Sequence, residues 1–187
     1  MLSKGPPRIE TSQLVLRAPE AGDVDPLFAI QGDAQSMRHT YCAPDREATR
    51  QHLEAHAALF RENGFAPWVA VLRESGAVAG WGGLMTEPAD SSWGVEVGYY
   101  IDKAHWGRGL ASEITRAALS LAFEKLELPE VGAFARPENP ASIRVLEKAG
   151  FRLTRFVPKL ERNQYRILRE EWRVYGAEQH LVPDAGA

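Results

Sequence analysis

The most constraining feature of the sequence is an amphipathic segment at residues 110–126 that closely follows a strand-like segment. Its apolar side chains recur at intervals of three and four residues, as on one face of an α-helix. These positions are Leu110, Ile114, Ala117, Ala118, Leu121, Phe123 and Leu126. Residues 93–101 are typical of a β-strand, and Gly107 and Gly109 lie in the connection. A strand, a glycine turn and a helix with one apolar face predict a layered α/β fold.

The rest of the chain alternates between strand and helix patterns. Further strands are predicted at residues 14–17, 68–72, 78–85, 131–135, 153–160 and 165–168. One helix is predicted to begin at Asp23 or Asp25 and to end near Gly32, and a second follows Asp45. A last helix opens at residues 139–140, a polar cap followed by proline, and closes at Gly150. The pattern predicts a single mixed α/β domain.

Bulk composition excludes several classes of protein. A chain of 187 residues fits one domain with one core, and a net charge of −3 gives no reason to expect nucleic-acid binding. The single cysteine, Cys42, excludes an intramolecular disulfide and favours a reducing compartment. No signal-like apolar run is present, and no stretch approaches the roughly 20 apolar residues of a membrane helix. We therefore expect a cytoplasmic protein without membrane or nucleic-acid partners.

The connection before the amphipathic helix has the features of an anion site. A helix N-terminus offers unpaired N–H groups and the positive end of its dipole. Gly107 and Gly109 leave the backbone open, Ala111 is small, and the Ser112 hydroxyl adds a donor. No Lys-Ser or Lys-Thr follows, and Ser112 replaces the third glycine of a dinucleotide fingerprint, which disfavours a nucleotide-binding domain. A tight turn without a ligand is the alternative.

Residues 106–111 resemble the acyl-CoA pyrophosphate loop of the GNAT superfamily of N-acetyltransferases, Gln/Arg-x-x-Gly-x-Gly/Ala. Trp106 departs from the first position of that pattern, as it does in the RimJ/RimL-like (ribosomal-protein-alanine N-acetyltransferase-like) branch. Four other stretches resemble that branch in the same order. They are residues 14–17, 96–101, 139–151 and 165–172. The resemblance covers residues 10–173, with residues 1–9 and 174–187 as terminal segments.

The resemblance implies a fold, a co-substrate and a binding site. The expected fold is a central mixed, mostly antiparallel sheet of about six to seven strands flanked by helices. Acetyl-CoA is the implied co-substrate, its pantetheine pairing with a strand edge and its pyrophosphate lying on the glycine loop; no metal is implied. The implied cofactor-binding residues are Tyr99, Tyr100, Ile101, Trp106, Gly107, Arg108, Gly109, Leu110, Ala111, Ser112 and Asn139.

The resemblance also implies direct attack of a primary amine on the thioester in a ternary complex. Such a reaction needs a base for an ammonium of pKa roughly 10 and an acid for the leaving thiolate. Ser142 is the candidate acid, and its alternative is an ordinary first-turn serine. Glu96 is the candidate base, and its alternatives are a structural ion pair or a binder of the acceptor's ammonium. Tyr99, Tyr100 and Tyr165 are the reserve candidates for the acid.

The acceptor is the least constrained part of the prediction. A protein N-terminus or a small amine fits, with residues 33–44, 87–93 and 156–164 as the expected acceptor loops and a homodimer as a possible assembly. A catalytically idle CoA-binding module is the competing function.

His52 and His56 are predicted to lie on a surface face and not to bind metal. Cys42 is predicted to be a small structural residue, and Trp68, Trp81 and Tyr41 could line the acceptor pocket, although core packing is more common for aromatics.

Overall fold

A computed structural model describes residues 6–86 and 91–172. These residues form one eight-stranded sheet with the strand order β1-β2-β3-β4-β5-β6-β8-β7. The strands are β1 (Ile9–Glu10), β2 (Leu14–Arg17), β3 (Trp68–Leu72), β4 (Val78–Thr86), β5 (Val95–Ile101), β6 (Glu130–Ala135), β7 (Arg152–Val157) and β8 (Arg162–Leu168). Only the β5–β6 pair is parallel in this part of the chain. The predicted mixed, mostly antiparallel α/β sheet is confirmed, with eight strands in place of six to seven.

Four α-helices flank the sheet, and residues 169–172 after β8 are helical as well. They are α1 (Val24–Gln31), α2 (Arg46–Asn63), α3 (Leu110–Ser120) and α4 (Pro140–Lys148). The predicted boundaries at Asp45 and Gly32 are confirmed, since the Asp45 carboxylate caps α2 by accepting from the Ala48 N–H at 2.8 Å and Gly32 follows α1. The predicted long third helix continues beyond α3 as a single π turn at Leu121–Lys125. No described helix is long and apolar enough to span a bilayer.

The alternation of β5 separates two cores. Val97 and Ile101 face the larger core, which contains Ile114 of α3. Tyr100 faces the smaller core beneath α1 and α2, where it meets Trp81 of β4. Successive side chains of this strand therefore point to opposite faces of the sheet. The two faces of β5 therefore place different side chains at the same end of the sheet.

The parallel pair β5–β6 is short. Its register contains only Glu96 opposite Gly132 and Val97 opposite Ala133, whereas β5 continues to Ile101. On its other side, β5 pairs with β4 along its whole length. The C-terminal half of β5 therefore has an edge that is not paired with β6, and this edge opens toward the glycine loop that precedes α3.

Several local predictions are wrong. The strand β5 does not begin at Trp93, because residues 91–93 form a 3₁₀ turn and Gly94 has a φ of 79°. The predicted strand at 153–160 ends at Val157, and Pro158–Leu160 form another 3₁₀ turn. Within the predicted N-terminal segment 1–9, Ile9 belongs to β1. The other predicted terminal segment, 174–187, lies outside the described residues, as do residues 1–5.

A buried carboxylate ties α3 to the first hairpin. Glu113 is 8% exposed and accepts hydrogen bonds from the Ser12 hydroxyl at 2.6 Å, from the Thr11 hydroxyl, and from the side chain and backbone N–H of Gln13 at 2.7 and 3.1 Å. Burial alone raises the pKa of this carboxyl, but the donors of Ser12, Thr11 and Gln13 outweigh it and lower the pKa to about 2. The Gln13 side chain also donates to the Arg108 carbonyl at 3.0 Å. The first hairpin therefore holds the glycine loop in place through the hydrogen bond from Gln13 to Arg108.

Glu113→Gln is expected to weaken the fold and to flatten its response to acid. A lowered native pKa stabilises the protein above the unfolded pKa of about 4.3, and this stabilisation disappears as the pH falls toward about 2. The wild type should therefore lose on the order of 3 kcal/mol more unfolding free energy between about pH 5 and 2 than the variant does. Urea titrations at a series of pH values measure this difference.

The control for this experiment is Glu62→Gln, which removes an exposed carboxylate from α2. Its unfolding free energy should follow the wild-type pH dependence. If Glu113→Gln and Glu62→Gln gave the same pH profile, the buried network would contribute no differential stability.

Candidate active site

One cavity of about 630 Å³ lies where β5 and β6 separate. Its walls come from both strands, the glycine loop, the first turns of α3 and α4, and the segment between α1 and α2. Of the predicted site residues, the lining includes Glu96, Tyr99, Tyr100, Ile101, Trp106, Gly107, Gly109, Leu110, Ala111, Ser112, Asn139 and Ser142. The topology therefore brings nearly the whole predicted site to one place.

The glycine loop presents bare backbone to this cavity. Gly107 and Gly109 have φ angles of 78° and 80°, in the left-handed region that favours glycine. A Cβ added at either position would have no neighbouring atom within 4 Å, so the space in front of the loop is open. Gly109 is also the N-cap of α3, where the first helical N–H groups lack intrahelical partners. This arrangement is suited to a bound pyrophosphate.

Side chains of the loop differ in where they lie. The Trp106 indole is 39% exposed, and its N–H donates to the Ile101 carbonyl at 2.9 Å. Leu110 is 2% exposed and belongs to the core, so it contributes mainly through its backbone. The Arg108 guanidinium pairs with Glu74 at 2.8 Å, and Arg108 is not among the residues that line the cavity. A part for Arg108 in binding the co-substrate stays a prediction.

The first turn of α4 holds a pair of hydroxyl groups. The Asn139 side chain caps the helix by accepting from the Ser142 N–H at 3.1 Å. The Ser142 hydroxyl lies 2.9 Å from the Tyr99 hydroxyl, within hydrogen-bond distance. Burial raises the pKa of Tyr99 to about 12, although the Ser142 hydrogen bond acts in the opposite direction. Tyr99 is therefore protonated at neutral pH and is able to donate.

Glu96 lies on the opposite face of β5 from Tyr99. It pairs across the sheet with Met85 of β4 and lines the cavity. Of the two glycines near this carboxylate, Gly94 lies before the strand and has open surroundings, whereas a Cβ added at Gly98 would lie 2.5 Å from the Met85 sulfur.

Sequence reasoning missed a cluster of aromatic and imidazole rings beside Glu96. His52 and His56 of α2 each lie 4.9 Å from the Trp81 ring, and Trp81 stacks on Tyr100 at 5.4 Å. His56 is 3% exposed, so the predicted surface position of these histidines is wrong. Both occupy the inward stripe of α2, which also contains the buried Thr49 and Leu53. Helical spacing from these residues could have identified that stripe.

Burial keeps these histidines uncharged. Burial, and to a smaller extent His52, lowers the pKa of His56 to about 3. Burial also lowers the pKa of His52. Among the predicted aromatics, Trp68 is fully buried in the larger core, whereas Trp81 and the exposed Tyr41 line the cavity. The part of the cavity wall formed by His52, Trp81 and Tyr100 therefore consists of uncharged rings.

Two further expectations concern cysteine and metals. Cys42 is exposed, so it does not have the buried packing role expected of a small structural residue. Within residues 6–86 and 91–172, no group of three or more His, Cys, Asp or Glu side chains is arranged to hold a metal ion. Part of one expected acceptor loop, residues 87–90, lies outside the described residues.

Open backbone at the helix N-terminus, a mixed sheet that separates beside it, and paired hydroxyls across the gap define an acyl-CoA-dependent acetyltransferase. The family described as "Acetyltransferase (GNAT) domain" matches residues 13–152, well over half of the chain. The chain therefore belongs to the GNAT family of N-acetyltransferases, whose co-substrate is acetyl-CoA.

Individual relatives agree with this assignment. YoaA of Bacillus subtilis (strain 168), an uncharacterized N-acetyltransferase, is 31% identical over 148 residues, which cover 78% of this chain and 82% of YoaA. The ribosomal-protein-serine acetyltransferase of Escherichia coli (strain K12) is 25% identical over 146 residues, covering 75% and 80%. An acetyltransferase structure from Agrobacterium tumefaciens str. C58 superposes with a TM-score of 0.74 at 26% identity, covering 86% and 94%.

Gly109→Asp is expected to abolish the thermal stabilisation of the protein by CoA. The substitution places a carboxylate in the open space in front of the loop, where it would repel a phosphate. For the wild type, CoA at 100 times its dissociation constant should add about 2.7 kcal/mol to the unfolding free energy. Melting curves with and without CoA measure the effect.

Gly76→Asp is the matched control. Gly76 has a φ of 73° and equally open surroundings, but it lies in the β3–β4 turn outside the cavity. Both variants carry the same backbone strain, so only Gly109→Asp should lose the response to CoA. If CoA stabilised Gly109→Asp as much as the wild type, the glycine loop would not be part of the CoA-binding site.

Proposed function

We propose that this protein transfers an acetyl group from acetyl-CoA to a primary amine by direct attack within a ternary complex. One observation carries the proposal: Glu96 and the Tyr99–Ser142 hydroxyl pair lie on opposite faces of β5 and line the same cavity. A base and an acid on opposite sides of a thioester are what this reaction requires. The identity of the amine and the steps below are part of the proposal.

Binding of the co-substrate would use backbone at both ends of the opening. The edge of Tyr99–Ile101 that is not paired with β6 can form strand-like hydrogen bonds with the pantetheine amides, as an added strand would. The N–H groups at Gly109 and the start of α3 would hold the pyrophosphate. Bound in this way, acetyl-CoA supplies the activated thioester.

Glu96 is assigned as the base that accepts a proton from the ammonium of the acceptor. A primary ammonium has a pKa of roughly 10, so at neutral pH it must lose a proton before its nitrogen can attack the thioester carbonyl. Glu96 lies on the cavity face that carries the uncharged rings of His52, Trp81 and Tyr100. Neutral surroundings favour the unprotonated amine over the ammonium, because burial disfavours the charged form.

Ser142 is assigned to the departing sulfur. As the new C–N bond forms and the C–S bond breaks, its hydroxyl would donate to the thiolate. Tyr99 would donate to Ser142 in turn, since its pKa of about 12 keeps the phenol protonated. A chain of two hydroxyls polarises along its length, which strengthens the final donor. Tyr99, one of the reserve candidates, thus becomes a positioning residue for Ser142.

The acceptor is proposed to be a small amine or a protein N-terminus. The Escherichia coli relative is named a ribosomal-protein-serine acetyltransferase, which makes peptides that begin with serine reasonable probes for this chain. The competing function is an idle CoA-binding module. Release of free thiol from acetyl-CoA over a panel of amines and short peptides tests both. Stabilisation by CoA without thiol release from any amine would favour the idle module.

Ser142→Ala is expected to lower kcat with little change in acetyl-CoA affinity, because the hydroxyl would act on charge that develops in the transition state. The loss should lie between about tenfold, for a hydrogen bond alone, and 10²–10⁴-fold, for general acid catalysis. Steady-state kinetics and CoA titration measure the two quantities separately.

Asn139→Ala is the companion variant to Ser142→Ala. It removes the helix cap, so it should cost about 1 kcal/mol of stability and raise the KM for acetyl-CoA. Thermal melts of both variants separate a lost cap from a lost donor. Wild-type kcat in folded Ser142→Ala would remove the acid role from Ser142.

Glu96→Gln is expected to reduce kcat/KM for the amine by about 10²–10⁴-fold near neutral pH. The deficit should shrink as the pH approaches the amine pKa of roughly 10, because an unprotonated acceptor no longer needs a base. Rate profiles of the wild type and the variant from pH 7 to about 10 measure this. A deficit confined to KM, with kcat at the wild-type value, would show that Glu96 only binds the ammonium.

A further inference from the structure

The segment between α1 and α2 is fastened to the loop that follows β5. We call residues 33–41 the strap. Asp33 of the strap forms an ion pair with the Lys103 ammonium at 2.9 Å. The Ser36 hydroxyl accepts a hydrogen bond from the Lys103 backbone N–H at 3.1 Å. The strap is therefore held directly beside the residues that lead into the glycine loop.

Arg38 makes the third contact between the strap and this loop. Its guanidinium carbon lies 4.9 Å from the centre of the Trp106 ring, within the range of a cation–π interaction. The Arg38 Nε–H donates to Nε2 of His39 at 3.0 Å. Burial first, and then the charge of Arg38, lowers the pKa of His39, which keeps that nitrogen available as an acceptor. These two contacts orient the guanidinium.

Arg38 is one of four arginines that line the cavity, together with Arg136, Arg144 and Arg162. Arg136 forms ion pairs with Glu138 and Glu161. Arg38 has no carboxylate partner among residues 6–86 and 91–172. It lines the same cavity as Gly107, the residue that immediately follows Trp106. An oriented guanidinium without an anionic partner, next to open loop backbone, is suited to a phosphate.

We infer that Arg38 binds the pyrophosphate of CoA from the strap, opposite the backbone N–H groups of the glycine loop. The inference rests on the proposed use of acetyl-CoA. Trp106 stands where the loop pattern has Gln or Arg, so the loop itself supplies no polar side chain at that position. The stacked guanidinium of Arg38 supplies a charge there from a different part of the chain.

This contact also couples the two substrates. Residues of the strap from Ser36 to Tyr41 line the cavity, and Gln31, at the end of α1, lines it as well. A phosphate held by Arg38 would hold the strap in place and with it one wall of the acceptor side. Because coupling between two ligands is reciprocal, CoA should raise the affinity for the amine and the amine should raise the affinity for CoA.

The test is a calorimetric titration of wild type and Arg38→Gln with three ligands. The ligands are CoA, 3′-dephospho-CoA and pantetheine. Loss of a charge-assisted hydrogen bond should weaken CoA about ten- to a hundredfold. The same factor is expected for 3′-dephospho-CoA, which keeps the pyrophosphate. Pantetheine, which has no phosphate, should bind the two proteins equally.

Two variants complete the experiment. Arg116→Gln removes a charge one turn into α3, where Arg116 is exposed and outside the cavity, and it should bind CoA as the wild type does. Arg38→Lys keeps the charge but loses the planar stacking on Trp106, so its affinity should fall between wild type and Arg38→Gln.

Wild-type affinity for CoA in Arg38→Gln would overturn the inference, and so would an equal loss in Arg116→Gln. An equal loss for pantetheine would also overturn it, because the effect would then come from the shape of the strap. If Arg38→Gln weakened the binding of CoA but not that of 3′-dephospho-CoA, Arg38 would contact the 3′-phosphate, and the pyrophosphate assignment would be overturned. Failure of the wild type to bind CoA would instead refute the proposed function.

Discussion

The separation of β5 from β6 is the constraint on which the site depends. Two parallel strands that pair over only two residue positions leave an unpaired backbone edge at the centre of an otherwise continuous sheet. Buried backbone groups need partners, so such an edge is costly unless solvent or a ligand satisfies it. The cavity lies in this gap, and the alternation of β5 presents Tyr99 to one side and Glu96 to the other.

Rigid supports surround this opening. Glu113 anchors the first turn of α3 to the hairpin of β1 and β2, so the glycine loop is held by a buried carboxylate with four donors. Asn139 caps α4 and thereby sets the position of Ser142 opposite Tyr99. Both helices present their N-termini to the cavity, which concentrates unpaired N–H groups where an anionic co-substrate is expected.

The two sides of the cavity differ in electrostatics. The proposed phosphate side combines helix N-termini with Arg38, whereas the proposed acceptor side combines Glu96 with imidazoles that burial keeps neutral. In the proposed reaction, an amine would meet the Glu96 carboxylate among uncharged rings. The strap joins the two sides, since Lys103 fastens it beside the phosphate loop and its remaining residues line the acceptor wall.

The sequence by itself determined the family, the α/β class and the position of the glycine loop. Each of these depends on residues close together in the chain, such as the glycines at 107 and 109, the stripe of α3 and the Asn139–Pro140 helix start, where local spacing specifies local geometry. Tertiary structure alone decided which groups meet. Tyr99 and Ser142 are 43 positions apart, and Arg38 and Trp106 also belong to separate parts of the chain. The prediction for His52 and His56 was wrong because no local signal showed which face of α2 is covered. Long-range contacts depend on strand order and helix packing, which local spacing does not encode.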